Sequence, residues 1–467
     1  MFNFKKNPLI WGTLLLSFSG LICRGIGFFY RLFISQAFGE EAMGIFQLTS
    51  PILMLAFSLT CAGTQTAISK YTASCVGRNM DTLAKRFLAT GCGLSLCLSL
   101  LYSIIVYGQA ENISILILKE IRCAPLLRIC ALSFPFAALH SCFNGYYYGK
   151  KNTKIPSFTQ ITEQLVRVGS VFSLYFYFTK HGETPTIILT CIGMVLGELS
   201  SFLISFLYYL FTQNRTPKIP VSHNDMISYK YFHILYQLLT LSIPLTFNRV
   251  IVNLLQSYEA VSIPEKLKEF GYSPTTALSI YGVLTGMALS LLLFPSTFVN
   301  SACVLLLPTV SEASSREDIH GIQITIKRSV LFSLSLGFCC TFFFYIFGNF
   351  CGNFLFGSSL AGTLIRNLSF LCPFLYLHGT LGSILNGLRK IKTTLLINIF
   401  SLLVRLCFIV YFIPRFGIIG YLWGLLLSEL LSAFICLVIL YKLYFQSKKI
   451  INVKTTLFTF QCNKKSG

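Results

Sequence analysis

Nine ionisable side chains stand inside long apolar stretches of this 467-residue sequence: Arg24, Arg31, Arg128, Arg167, Arg249 and Arg405, with Glu163, Glu198 and Glu429. At the centre of a membrane helix each costs about 2.5–3.5 kcal/mol on insertion scales, so each needs a partner, a wet cavity or a ligand. Six positive and three negative charges leave a surplus that suits an anion. A guanidinium stays charged and grips phosphate through two parallel hydrogen bonds. Glu163 and Arg167 are spaced i, i+4 and can pair on one helix face. Arg24 and Arg31 are seven apart, on one face of the first stretch. Arg249, with Asn248 and Asn253 beside it, marks a polar stripe. The candidate substrate-binding set is therefore Arg24, Arg31, Glu163, Arg167, Arg249, Asn253 and Arg405. Arg128, nearer a helix end, reads as snorkelling to the interface. His140 and His378 read as satisfied core histidines, with proton carriage as the alternative; Glu198 and Glu429 read as helix-packing residues. A phosphate-binding loop, a nucleophile elbow and a catalytic carboxylate pair are all absent, so the sequence predicts no enzyme, no cofactor and no metal site.

The elements that carry these charges follow from composition. The chain is 54% hydrophobic, 15% aromatic and 11% charged, against roughly 25% charged in soluble domains. That excludes a set of soluble domains and disorder, and leaves a polytopic membrane protein. A span needs about 20 largely apolar residues, and twelve segments qualify: 9–36, 42–69, 86–108, 123–148, 157–179, 186–212, 232–257, 276–310, 326–348, 366–388, 393–413 and 418–445. Pro51, Pro135, Pro244, Pro295 and Pro373 fall inside them as expected kink points. The 17 Cys are scattered singly and read as membrane-buried thiols. The first segment follows Lys5 and Lys6 but lacks a small residue at Ile22-Cys23, so it reads as an uncleaved span. Of the 37 basic residues, 24 fall on the faces holding both ends of the chain, 7 on the opposite faces and 6 in the spans. The bias predicts a plasma-membrane protein with both termini cytoplasmic. It also assigns the net charge of +21 to topology and anionic lipid, with no nucleic-acid partner.

The halves repeat. At one constant offset, Pro135-Phe136 matches Pro373-Phe374, Leu139-His140 matches Leu377-His378, and Leu165-Val166-Arg167 matches Leu403-Val404-Arg405. Gly149 matches Gly387 at the same offset, and Glu198 matches Glu429 after a further shift of seven. Both copies begin on the same side, so the repeat is parallel. Transporters built this way hold substrate between the repeats. The expected organisation is all-α: a six-helix lobe at 1–215, a linker at 216–231, a second six-helix lobe at 232–447, and a basic cytoplasmic tail at 448–467.

Several motifs carry a resemblance. Cys23-Arg24-Gly25-Ile26-Gly27-Phe28-Phe29-Tyr30-Arg31, Gly63-Thr64-Gln65-Thr66-Ala67-Ile68-Ser69-Lys70, Asn144-Gly145-Tyr146-Tyr147 followed by Glu163-Gln164-Leu165-Val166-Arg167, Tyr281 to Ala288, and Leu307-Pro308 to Ala313 together resemble the stage V sporulation protein B family. That family lies in the multidrug/oligosaccharidyl-lipid/polysaccharide exporter superfamily. The resemblance covers about residues 10–445. It implies a MATE-like V-shaped bundle of two lobes and export of a lipid-linked saccharide with a pyrophosphate headgroup. It implies a coupling ion, H+ or Na+, and a role in peptidoglycan or polysaccharide supply during sporulation. In the lipid II flippases of the superfamily a first-span arginine matches Arg24, while the second falls at Tyr30, one residue before Arg31. Leu254 stands after Asn253 where the family often has Asp. Three functions stay open: a lipid-linked oligosaccharide flippase, a cation-coupled multidrug exporter, and a non-transporting membrane scaffold. The net basic spans favour the first.

Overall fold

Backbone polar groups in hydrocarbon must be bonded within their own segment, which helices achieve. The computed structural model describes residues 8–78, 80–213, 231–315 and 318–463, and these form helices with no strand among them. The helices are α1 (Pro8–Phe57), α2 (Gly63–Gly77), α3 (Asp81–Gly108), α4 (Cys123–Ala131), α5 (Phe134–Gly149), α6 (Lys154–Lys180) and α7 (Ile188–Gln213). After the undescribed stretch come α8 (Tyr231–Phe270), α9 (Pro274–Gly282), α10 (Ser296–Ser315), α11 (Ile319–Phe356), α12 (Ser359–Leu368), α13 (Cys372–Gly387), α14 (Ile391–Tyr411) and α15 (Ile418–Asn463). The twelve sequence segments lie mainly in helix, with 123–148 broken between α4 and α5 and 276–310 broken at Pro295. By length and hydropathy alone, nine described helices can cross a membrane, or ten if the bent pair α4–α5 is one span. The first two segments share α1, which breaks at Gly39 (φ 81°, ψ 177°), a conformation open to glycine.

The prolines act differently from expectation. Pro51 and Pro244 do lie inside helices. Pro135 and Pro373 instead sit in the first turn of α5 and α13, where a missing N–H costs nothing. Pro295 falls between helices, just before α10. The bend of 45° between α4 and α5 precedes Pro135.

The repeat is visible in local geometry. Helices α5 and α13 are each 16 residues long, and each carries its histidine at the same position. The turns that follow hold Lys151 at φ 57° and Arg389 at φ 60°, a pair related by the offset that matches the two halves.

Contacts divide the chain into two compact units, Met1–Ser290 with Leu355–Gly357, and Leu291–Phe354 with Ser358–Gly467. The expected linker at 216–231 lies almost wholly outside the described residues. In the first unit Ala67, Ile68, Phe87, Phe143, Tyr146 and Ile234 are core residues. In the second, Leu381, Ile384, Leu385, Ala433 and Cys436 are.

Within the first unit α1 crosses α9 at a glycine pair. A Cβ on Gly44 would overlap the Leu278 carbonyl, and one on Gly282 would overlap the Glu40 carbonyl and the Gly44 backbone. Small residues at such crossings let two backbones meet where hydrophobic driving force is absent. Gly44→Val should therefore lower stability by about 1–3 kcal/mol, the usual cost of overpacking. Gly20→Ala, in open space, should not lower it. Thermal unfolding in detergent checks both.

Candidate functional site

The first unit gathers four of the ionisable residues into one cluster. Helices α5, α6 and α7 pack side by side, and Gly193 and Gly197 on α7 let it approach α6 at Arg167 and Glu163. Arg167 pairs with Glu163 on the same helix, as the i, i+4 spacing predicts, and reaches Glu198 Oε1 on α7 at 3.8 Å. His140 on α5 faces the same group, with Nδ1 3.7 Å from Glu198 Oε2. Its Nε2 lies 3.0 Å from Asn144 Nδ2 and 3.3 Å from Thr159 Oγ1. The Nε of Arg167 and the Oδ1 of Asn144 are buried without a hydrogen-bond partner. Beside the cluster lies a cavity of about 230 Å³, lined by Gln65, His140, Asn144, Gln160, Glu163 and Glu198 among others.

The second unit holds a simpler version. His378 Nδ1 lies 2.7 Å from Glu429 Oε2. So the repeat-related histidines and glutamates pair in both units, where the sequence reading gave them separate packing roles. Their recurrence at matched positions was the signal that could have found the pairs. Arg405 is half-buried on α14.

The remaining candidates are spread over the first unit. Arg24 is exposed on α1 and makes no hydrogen bond or ion pair among the described residues. Its neighbour Cys23 donates to the Gln160 carbonyl on α6 at 3.4 Å, which fixes this stretch of α1 against the cluster's helix. Arg31 does not share Arg24's freedom: its guanidinium donates to Ser290 Oγ at 2.8 Å. Ser290 follows a π-helical run, Val283–Ala288, and also donates to the Gly286 carbonyl at 2.8 Å. Such π runs recur at functional sites. Asn253 on α8 donates to Ser58 Oγ and to the Met54 carbonyl at 3.2 Å, so it ties α8 to α1. Arg249, one turn before it, is exposed and unpaired among the described residues. Arg128, expected to snorkel, ion-pairs with Glu111 at 2.7 Å.

His140, Glu163 and Glu198 bring one ligand atom each within 4.8 Å of one another. Arg167 already supplies the positive charge between the carboxylates, so the group reads as an acid–base cluster and not as a metal centre.

In fold the chain is similar to a multidrug resistance MATE family transporter of the MOP superfamily in its inward-facing conformation. The TM-score is 0.75 at 13% identity, over 94% of this chain and 99% of that one. A MOP superfamily transporter from Pyrococcus furiosus with a binding pocket of reverse polarity gives 0.67, also at 13% identity, over 95% and 98%. The fold is thus that of the MATE-like membrane transporters. The family model for polysaccharide biosynthesis proteins matches residues 9–314 and 308–463, and the chain belongs to that family. Stage V sporulation protein B of Bacillus subtilis is 28% identical over 435 residues, covering 92% of this chain and 83% of the relative. The lipid II flippase MurJ of Bacillus subtilis is 17% identical over 66% of this chain and 58% of the relative.

A second charged group sits outside the spans, on the connection after α3. Arg122 Nε donates to Glu120 at 2.7 Å and its Nη1 to Glu41 at 2.7 Å. Burial pushes the Glu120 carboxyl up, but the hydrogen bonds and charge of Arg122 outweigh it and hold the group below its usual 4.5. A carboxyl lowered on folding stabilises the protein above its unfolded pKa and loses that contribution as pH falls through the folded value. Wild-type protein should therefore lose thermal stability as pH drops below 4.5, and Glu120→Gln should flatten that acid limb. Melting curves against pH measure both slopes.

Proposed function

We propose that this protein flips a lipid-linked oligosaccharide, a peptidoglycan or polysaccharide precursor, from the cytoplasmic to the outer leaflet of the cell membrane. The observation that carries the reading is Arg24. It is a permanent charge on an apolar span, exposed and without a protein partner among the described residues. Its insertion cost is offset if it meets an anion that visits. A pyrophosphate-linked lipid supplies that anion, while the polyprenyl chain stays among membrane lipids. Family membership and the likeness to a lipid II flippase support the same class of cargo.

In this reading the two six-helix lobes alternate access, with both termini cytoplasmic as the bias of 24 to 7 basic residues implies. Substrate shifts the balance of states only through its different affinity for each. Arg24, Arg31 and Arg249, with Asn253 and the Glu163–Arg167 pair, provide the substrate contacts of the first unit, and Arg405 that of the second. A coupling ion, H+ or Na+, belongs to the same proposal. The multidrug exporter reading is weaker because organic cations want an acidic cavity. A scaffold would leave Arg24 without a purpose.

Arg24→Ala should cut the rate of headgroup exposure on the outer face by about 10- to 100-fold, the worth of one or two charge-assisted hydrogen bonds. Arg24→Lys should restore part of it, since a point charge loses the bidentate grip. The assay is enzymatic access to the headgroup, with abundance checked by immunoblot. Normal flipping by a normally abundant Arg24→Ala protein would remove Arg24 from the substrate site.

A further inference from the structure

We propose that His140, Glu163 and Glu198 form a proton-binding site, and that an anionic headgroup binds together with one proton taken up there. The inference rests on the anionic substrate proposed above. Three observations carry it.

The first is charge. Glu163 and Glu198 supply two negative charges and Arg167, in contact with both, one positive. With His140 neutral the cluster is an anion; with one added proton it is neutral. Inside a low-dielectric bundle an unbalanced charge is the costly state. Arg24 and Arg31 on α1 carry permanent charges outside the cluster, the first exposed and the second bonded to Ser290, and the thiols and phenols around the cluster add no charge to the count. They include Cys23 and Tyr30 on α1, Cys61 in the π-helical run Ser58–Ala62, Cys92 on α3, Cys142 and Tyr148 on α5, and Cys191 on α7. Lys70 on α2 is exposed.

The second is Asn144. Thr159 spends its hydroxyl proton on the Pro156 carbonyl at 3.1 Å. Toward His140 the Thr159 oxygen can then only accept, and the Asn144 amide as placed, with Nδ2 toward Nε2, goes with a ring proton on Nδ1, on the Glu198 side. Asn144 Oδ1 has no partner. A half-turn of that amide exchanges donor for acceptor and would serve Nε2–H of a doubly protonated ring. One neighbour thus satisfies both protonation states. The adjoining cavity has polar walls and room for water to deliver the proton.

The third is the asymmetry of the repeat. In the second unit Ser401 stands at the position of Glu163, and Gly382 at that of Asn144. His378 and Glu429 remain, without the second carboxylate or the reversible amide.

An anionic cluster beside the cavity repels phosphate, and a neutral one does not. Proton and headgroup therefore favour each other's binding, by the same factor in either order. Geranyl pyrophosphate, a short soluble polyprenyl pyrophosphate, is the probe. Its affinity for the purified full-length chain is measured by calorimetry between about pH 5 and pH 8, in two buffers of different ionisation enthalpy. The ligand's own titration is common to all variants. Beyond it, wild type should weaken up to about tenfold per pH unit and take up close to one proton. His140→Asn should lose that excess, and His378→Asn should keep it. Glu198→Gln replaces His140→Asn if the latter fails to fold. Equal slopes in wild type and His140→Asn overturn the proposal. If the probe binds at no pH, the anionic-substrate reading fails instead. The proton site is then read alone from 15N-histidine spectra: a His140 ring that gains a second proton over this range supports it, and one that stays neutral overturns it.

Discussion

Charge in hydrocarbon is the constraint on which this structure turns. Each ionised group in a span must be answered, and the way each is answered sorts the residues by role. Glu163, Arg167, Glu198 and His140 answer one another and hold α5, α6 and α7 in register. Arg31 is answered in part by Ser290, at the end of a π-helical run that leaves a serine to donate back to a freed carbonyl. Asn253 is answered by α1. Arg24 is answered by nothing in the described protein, which is why the functional reading centres on it.

Close backbone contact makes such answers possible. Gly193 and Gly197 bring α7 onto α6 at the residues that form the cluster, and Gly44 and Gly282 do the same for α1 and α9. A larger side chain at either crossing would move polar groups apart by more than a hydrogen bond tolerates. Packing and electrostatics in this bundle are therefore one problem: glycine positions set the distances at which buried charges compensate.

Much of this was legible in the residues. Twelve apolar segments could be counted because a span must be long and dry, and each lies mainly in helix. Glu163 with Arg167 could be read because both lie on one helix, at i and i+4. His140 with Glu198 had no local spacing to show it, because the whole of α6 and two helix reversals separate them along the chain; only their recurrence as His378 and Glu429 pointed to the pair. Gly39 gave no signal among the many glycines of the first stretch. Pro135 and Pro373 look alike in sequence whether they kink a helix or start one; the turn before each decides. The repeat, read from matched rare residues, reappears as two helices of 16 residues and two positive-φ turns at equivalent positions of the halves. Its divergence is as informative as its likeness: the second unit keeps His378 and Glu429 but carries Ser401 where the first has Glu163.

The central claim is that an anionic, lipid-linked saccharide crosses the membrane through this chain. Reconstitution of the wild-type protein into liposomes with an undecaprenyl-pyrophosphate-linked saccharide in the inner leaflet tests it most directly. The readout is the fraction of headgroups that an added, membrane-impermeant glycosidase or lectin reaches over time. The account predicts that protein-containing vesicles expose the inner-leaflet headgroups while protein-free vesicles keep them hidden. It also predicts that a neutral glycolipid of the same chain length stays where it was placed. Equal exposure with and without protein, or equal movement of the neutral lipid, would contradict it.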